Sequence, residues 1–344
     1  MARLGNGSAK LLPFVGMMVA MLTQSGSMVV IKFAMIDDIN KYVMVVYSFA
    51  LSTILLLPFA FFLHRSERPP LTFSLLCKFF LLAFFGSAAT TMGYVGIELS
   101  SPTLGSDLLS LVPAFTFILA LIFRMEEVHW RNSSSQAKVL GTITSIAGAF
   151  VVLNWILGGI FFIAYSLFNS MWYIYQAYVA KKYPDVTVTV FFQLLFSTVQ
   201  CGVFALIAVR DPTEWKLNFD IGLVGVLYQA IVATMISYLL FQWCVLKAGP
   251  LFCSMFSPVA MIFTVFMGAI FLGDDLSLGS LIGAVIIVVG FYGVLWGKSK
   301  EENEIAEGVE DFDSSFHDVP LLQDRNRLKL RRFYHPYIWE SFGY

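Results

Sequence analysis

Charge is scarce in this chain. Of its 344 residues 13% are Asp, Glu, Lys or Arg and 58% are apolar, against about 25% and about 45–50% in a soluble domain. That balance excludes a soluble globular enzyme, and for most of the chain it excludes disorder. Histidine is almost missing: His64, His129, His317 and His335 all fall in polar stretches, and no His-Glu-x-x-His run exists to hold a catalytic metal. The four cysteines, Cys77, Cys201, Cys244 and Cys253, stand singly inside apolar runs, which suits small packing residues rather than a disulfide framework. A net charge of −1 gives no electrostatic reason for nucleic-acid binding. No cofactor and no metal are expected, and the expected partners are a small solute and the lipid bilayer.

What the chain has instead is apolar runs long enough to cross a hydrocarbon core of about 30 Å, which takes about 20 helical residues. They fall near 11–33, 42–63, 76–97, 103–123, 139–157, 160–180, 188–209, 219–240, 250–272 and 277–296. The first is too long for the apolar region of a signal peptide and reads as a retained span. Between Val139 and Ala180 no charge interrupts the chain, so a turn must be sought among glycines. Gly158-Gly159 is the first choice, because glycine adopts tight-turn backbone angles, and Asn154-Trp155 is the second. Ten spans place thirteen lysines and arginines, from Arg3 to Lys300, on the amino-terminal side of the membrane. Only Lys32, Lys41, Arg210 and Lys216 fall on the other side. The positive-inside rule then puts both termini in the cytosol.

The two halves resemble each other. Ser101-Pro102 and Glu126-Glu127 bracket the fourth span as Gly249-Pro250 and Asp274-Asp275 bracket the ninth. Gly141 and Gly148 of the fifth span match Gly283 and Gly290 of the tenth. Five spans per half is an odd number, so the second half enters the membrane from the opposite side, the inverted-repeat plan of many secondary transporters. The expected organisation is a cytosolic amino terminus (1–10), a first five-helix repeat (11–157), a second (158–297) and a polar cytosolic tail (298–344). Gly279 and Gly283 form a GxxxG pair, read first as close packing within the fold and second as the seam of a homodimer.

Several stretches in order carry a resemblance: Lys32, Leu57-Pro58-Phe59-Ala60-Phe61-Phe62, Pro113-Ala114-Phe115-Thr116-Phe117 with Arg124-Met125-Glu126, Asn154-Trp155-Ile156-Leu157-Gly158-Gly159, Gly249-Pro250-Leu251-Phe252 and Phe291-Tyr292-Gly293-Val294-Leu295-Trp296. In these the chain resembles the plant EamA-type transporters of the drug/metabolite transporter superfamily, in particular the walls-are-thin-related (UMAMIT) proteins. The resemblance implies an all-α polytopic membrane protein of ten transmembrane helices in two inverted five-helix EamA repeats. It also implies transport of small organic solutes such as amino acids or auxin-like metabolites, in the plasma or the vacuolar membrane. A non-transporting membrane scaffold and a proton-coupled metabolite exporter are the alternatives.

Candidate solute-binding residues are Gln24, Lys32, Ser110, Pro113, Asn169, Tyr173, Gln176 and Pro258. A proline in a span lacks the N–H that would bond the carbonyl four residues back. Pro113 and Pro258 would therefore expose the carbonyls of Leu109 and Ser254, with Ser110 the repeat counterpart of Pro258. The same kinks also suit simple packing. Asn169, Tyr173 and Gln176 are spaced i, i+4, i+7 and share one helix face, where amides and a phenol can solvate an ammonium and a carboxylate. Lys32 either snorkels to headgroups or attracts a solute carboxylate at the outer mouth. Glu98 and Asp107 read as a solvated rim. A carboxy-terminal tag is expected to be reachable only from the cytosolic side, which protease protection in sealed vesicles of known orientation measures.

Overall fold

The computed structural model describes residues 3–36, 40–62, 71–99, 111–125, 156–216 and 221–272. All belong to one compact unit, Met1–Val294. The fifth and tenth expected spans, Ser110, the Gly279/Gly283 pair and the tail lie outside the described residues.

Every regular element among the described residues is helical. They are α1 (Arg3–Ile36), α2 (Lys41–Phe62), α3 (Phe73–Leu99), α4 (Leu111–Ile122), α5 (Ile156–Lys182) and α6 (Val186–Ala208), followed by a 3-10 turn (Pro212–Trp215). One long span follows as α7 (Ile221–Tyr228), a π-helical stretch (Gln229–Ile236) and α8 (Ser237–Ala248). The last span is split into α9 (Pro250–Ser254) and α10 (Ser257–Leu272). Helices thus stand at eight of the ten expected spans. Four of them, Tyr42–Phe61, Phe73–Gly93, Val186–Ala208 and Gly222–Ala248, are long and apolar enough to cross a membrane by length and composition.

The structure corrects the expected boundaries in three places. The helix α1 begins at Arg3, not Leu11. The eighth span continues to Ala248, because no charge interrupts it before Lys247. Gly158-Gly159 is no turn: both glycines lie in the first turn of α5, which begins at Ile156. The second choice, Asn154-Trp155, immediately precedes that start and lies outside the described residues.

Helix directions follow from side-chain pairs. Phe79–Tyr183, Phe85–Tyr175 and the approach of Gly93 to Tyr165 run antiparallel along α3 and α5. Phe61–Phe191 and Tyr42–Phe204 do the same along α2 and α6. Phe14–Phe256 and the 2.7 Å bond from Ser25 Oγ to the Ala260 carbonyl set α1 parallel to the last span. The packing is exchanged when the halves are swapped. Contact of α3 with α5 is matched by α7–π–α8 with α1, α4 with α5 by α10 with α1, and α3 with α6 by the π stretch with α2, while α2 packs on its own counterpart α6. Counterparts that pack antiparallel are what an inverted repeat requires.

Ends therefore meet ends. One face carries Pro13, Ala60, Phe79, Tyr183 and Cys244. The other carries Asn40, whose amide bonds Glu214, and Tyr47, whose hydroxyl bonds the Trp215 carbonyl at 2.7 Å. On this second face Asp211 caps the 3-10 turn, and the Thr213 backbone N–H and hydroxyl hold its carboxyl below the ordinary carboxylate value. The outer surface is apolar, with Ile54, Leu206 and Ile207 about two-thirds exposed, as lipid contact demands. The interior holds hydroxyls: Ser52 Oγ donates to the Ala230 carbonyl at 2.7 Å and Ser27 Oγ to Gln229 Oε1 at 2.6 Å.

These bonds bind the π stretch to α1 and α2, and Gly26 lies between them. A Cβ at Gly26 would collide with the Tyr228 hydroxyl, whereas one at Gly202 would meet nothing within 4 Å. Alanine gains about 1 kcal/mol of helix propensity over glycine, but overpacking costs about 1–3 kcal/mol. Gly26→Ala is therefore expected to lower the melting temperature in detergent and Gly202→Ala to raise or preserve it. Tyr228→Phe, which removes the colliding oxygen, should recover stability in the double variant.

Candidate solute site

The sequence-derived residues converge around α5. The last span breaks at Met255-Phe256: Met255 N–H bonds the Leu251 carbonyl at 3.1 Å, Phe256 N–H bonds that of Cys253 at 3.2 Å, and α10 starts afresh at Ser257. Pro258 thus occupies the first turn of a helix, where its missing N–H does no harm. Next to it, the Ser257 hydroxyl hydrogen-bonds the Tyr173 hydroxyl, with Cys253 and Cys244 close by. One turn back on α5, Ser170 Oγ donates to the Val112 carbonyl at 3.0 Å, beside Pro113. Adjacent turns of α5 therefore grip both proline-bearing spans. Packing of Phe117 in α4 against Leu251 and Met255 joins those spans directly.

Tyr173 and Gln176 are buried, at 3% and 0% exposed, and Asn169 is half-buried. Gln24 is half-buried on α1, between Thr23, whose hydroxyl is 2.6 Å from that of Ser237, and Ser25. Lys32 falls near the carboxy end of α1, toward the Asn40 face and away from Tyr173. Ser110 lies outside the described residues.

The structure adds a feature that the spacing of Asn169, Tyr173 and Gln176 does not contain. Gln176, Gln193 and Gln242 are no more than 1% exposed. Both side-chain polar atoms of Gln176 and Gln193, the Gln242 oxygen, Trp172 Nε1 and Thr189 Oγ1 have no hydrogen-bond partner among the described residues. Trp172 is one turn before Gln176. A Cβ on Gly86 would sit 3.3 Å from Trp172 Nε1 and 3.7 Å from Gln193 Nε2, so these nitrogens flank one point. Phe241, next to Gln242, packs edge-on against Trp172 at 5.8 Å and Tyr173 at 6.1 Å. Of the helices around these groups, α3 packs on α5 and α6, and α8 packs on the same two. Gln193 and Gln242 are visible in the sequence only as scattered span amides. The spacing Thr189, Gln193, Ser197, Gln200 traces one polar stripe on α6 and was the available signal. Trp172 carried none, because an indole reads as bulk.

Gln193 is seven residues into α6, about 10 Å from its start at 1.5 Å per residue. Between it and that end stands an aromatic plug: Phe79 lies edge-on to Tyr183 at 5.8 Å and stacked on Phe192 at 5.5 Å. Beyond the plug is a cavity of about 210 Å³ lined by Ala60, Phe61, Leu71, Tyr183, Val188, Phe191 and Phe192. It contains none of the sequence-derived residues.

Comparison with known proteins settles the family. The model of the EamA-like transporter family matches residues 12–154 and again 156–296. The chain belongs to the EamA-like transporter family. Two WAT1-related proteins of Arabidopsis thaliana are each 38% identical. One match covers 84% of this chain and 88% of the relative, the other 90% and 94%. This EamA protein is thus of the plant WAT1-related type and a multi-pass membrane protein. A solved crystal structure shares the fold, with a TM-score of 0.64 at 13% identity over 86% of this chain and 99% of the other. The two EamA matches meet at Trp155, one residue before α5 begins.

Hydrogen bonds between helices in a membrane contribute about 0.6 kcal/mol on average and up to about 1.7. A double-mutant cycle of Tyr173→Phe and Ser257→Ala, read by unfolding in detergent, should give a coupling energy in that range. A coupling of zero would show that α5 does not grip the last span through this pair.

Proposed function

We propose that this EamA protein carries small organic solutes, amino acids or auxin-like metabolites, across the plasma or vacuolar membrane by alternating access, with both termini in the cytosol. The observation that carries the reading is that the fully buried amides of Gln176 on α5 and Gln193 on α6, and the oxygen of Gln242 on α8, find no hydrogen-bond partner among the described residues. Unsatisfied amides are expensive in a membrane interior, and a polar solute passing between the repeats would satisfy them. Tyr173, Gln176 and Asn169 on α5, Gln24 on α1 and the backbone beside Pro113 and Pro258 line the same path. Lys32 draws solute at the mouth.

The mode is facilitated and bidirectional. A proton-coupled carrier keeps an ionisable Asp, Glu or His at depth in a span, and none of these is among the buried side chains of the described residues. Coupling through a rim carboxylate, Glu98 or Asp107, is the second reading. The protein in liposomes should equilibrate amino acids across the bilayer at the same final level with or without an imposed pH gradient. Uphill accumulation driven by the gradient alone would establish the proton-coupled reading instead.

A further inference from the structure

We infer that the cluster of Trp172, Gln176 and Gln193 is a charge-excluding selectivity site that admits solutes with no net charge and rejects net anions and net cations. The inference rests on the transporter reading above and decides between its two substrate classes: zwitterionic amino acids with uncharged side chains pass, and organic anions of the auxin type do not.

The donor and acceptor inventory leads to this conclusion. The two amide groups of Gln176 and Gln193 offer N–H donors and carbonyl acceptors in equal kind, and the Trp172 indole adds a donor. A carboxylate would take the N–H groups of the amides and the indole. An ammonium would take the amide oxygens. Both needs are met at once only by a solute that carries both groups, or neither. A solute with net charge would leave one charge without a counter-charge, because the described buried residues include no Asp, Glu, Lys, Arg or His. Placing an uncompensated charge at such depth costs about 2.5–3.5 kcal/mol on insertion scales. Dipolar amides reduce that penalty but cannot cancel it, since none of them carries a net counter-charge. Gln176 and Gln193 are fully buried, and Phe79, Tyr183 and Phe192 pack together toward one helix-end face, so bulk water screens little of a charge there.

The experiment compares initial uptake of glutamine, glutamate, lysine and indole-3-acetate by the full-length protein in liposomes held at zero membrane potential. Glutamine is expected to enter at least about tenfold faster than the other three, the scale on which a mispaired polar site discriminates. Gln193→Glu places a fixed negative charge in the cluster and should shift the preference toward lysine by about tenfold or more. Gln193→Leu should abolish the rise in melting temperature that glutamine gives the unmodified protein in detergent. The melting temperature of each variant without solute shows whether it is folded, and Gln193→Asn substitutes for a variant that is not. Glutamate, lysine or indole-3-acetate entering as fast as glutamine would overturn charge exclusion and leave the transporter reading intact. A preference for glutamine that Gln193→Glu leaves unchanged in a folded protein would place selectivity elsewhere and overturn the assignment to this cluster. Uptake of none of the four would overturn the transporter reading, and this inference with it.

Discussion

Irregular backbone inside a membrane must be satisfied by protein, because lipid offers no hydrogen bonds. In this chain hydroxyl groups on the neighbouring regular helices do that work. Ser52 on α2 takes the Ala230 carbonyl in the π stretch, Ser25 on α1 takes the Ala260 carbonyl in α10, and Ser170 on α5 takes the Val112 carbonyl beside Pro113. A π-helical stretch and a span split at Met255-Phe256 are tolerable because α1, α2 and α5 present these short side chains at the right depth. Short side chains also let the helices approach closely, as Gly26 does against Tyr228.

The inverted repeat distributes these roles. Swapping the halves exchanges α5 with α1, and both helices hold a partner span through serine or threonine hydroxyls. The polar load is unequal, however. The partners of α1 hydroxyls are accounted for, with Thr23 facing Ser237 and Ser27 bonding Gln229. On the α5 side the amide atoms of Gln176, and those of Gln193 on α6, have no hydrogen-bond partner among the described residues. Pseudo-symmetry builds the scaffold, and its breaking leaves these amides without such partners.

The buried polar side chains among the described residues are neutral. Enzymes at depth need a nucleophile, a metal or a shifted acid, whereas passage needs only replacement of hydration by matched donors and acceptors. Amides suit that because one side chain supplies both, and they do it without the charge that would trap a solute.

Much of the architecture was legible in the sequence, because membrane thickness converts apolar length directly into spans and charge into loops. The all-helical class, the repeat, the family and the irregularity beside Pro258 came from one-dimensional signals of that kind. The face shared by Tyr173 and Gln176 was legible for the same reason, since 3.6 residues per turn fixes which positions align. Other features had no local cause. Gly158-Gly159 looked like a turn because glycine permits one, but permission is not requirement, and α5 continues through both. The π stretch has no proline or glycine within Gln229–Ile236, and it is seated by Ser27 and Ser52 from two distant helices. Gln193 and Trp172 became neighbours only when α3, α5 and α6 met at Gly86, where the absence of a side chain lets three helices close on one point. Sequence periodicity determines what lies on a helix face. Which faces meet, and whether their polar atoms find partners there, is a property of packing among helices far apart in the chain, and only the tertiary structure decided it.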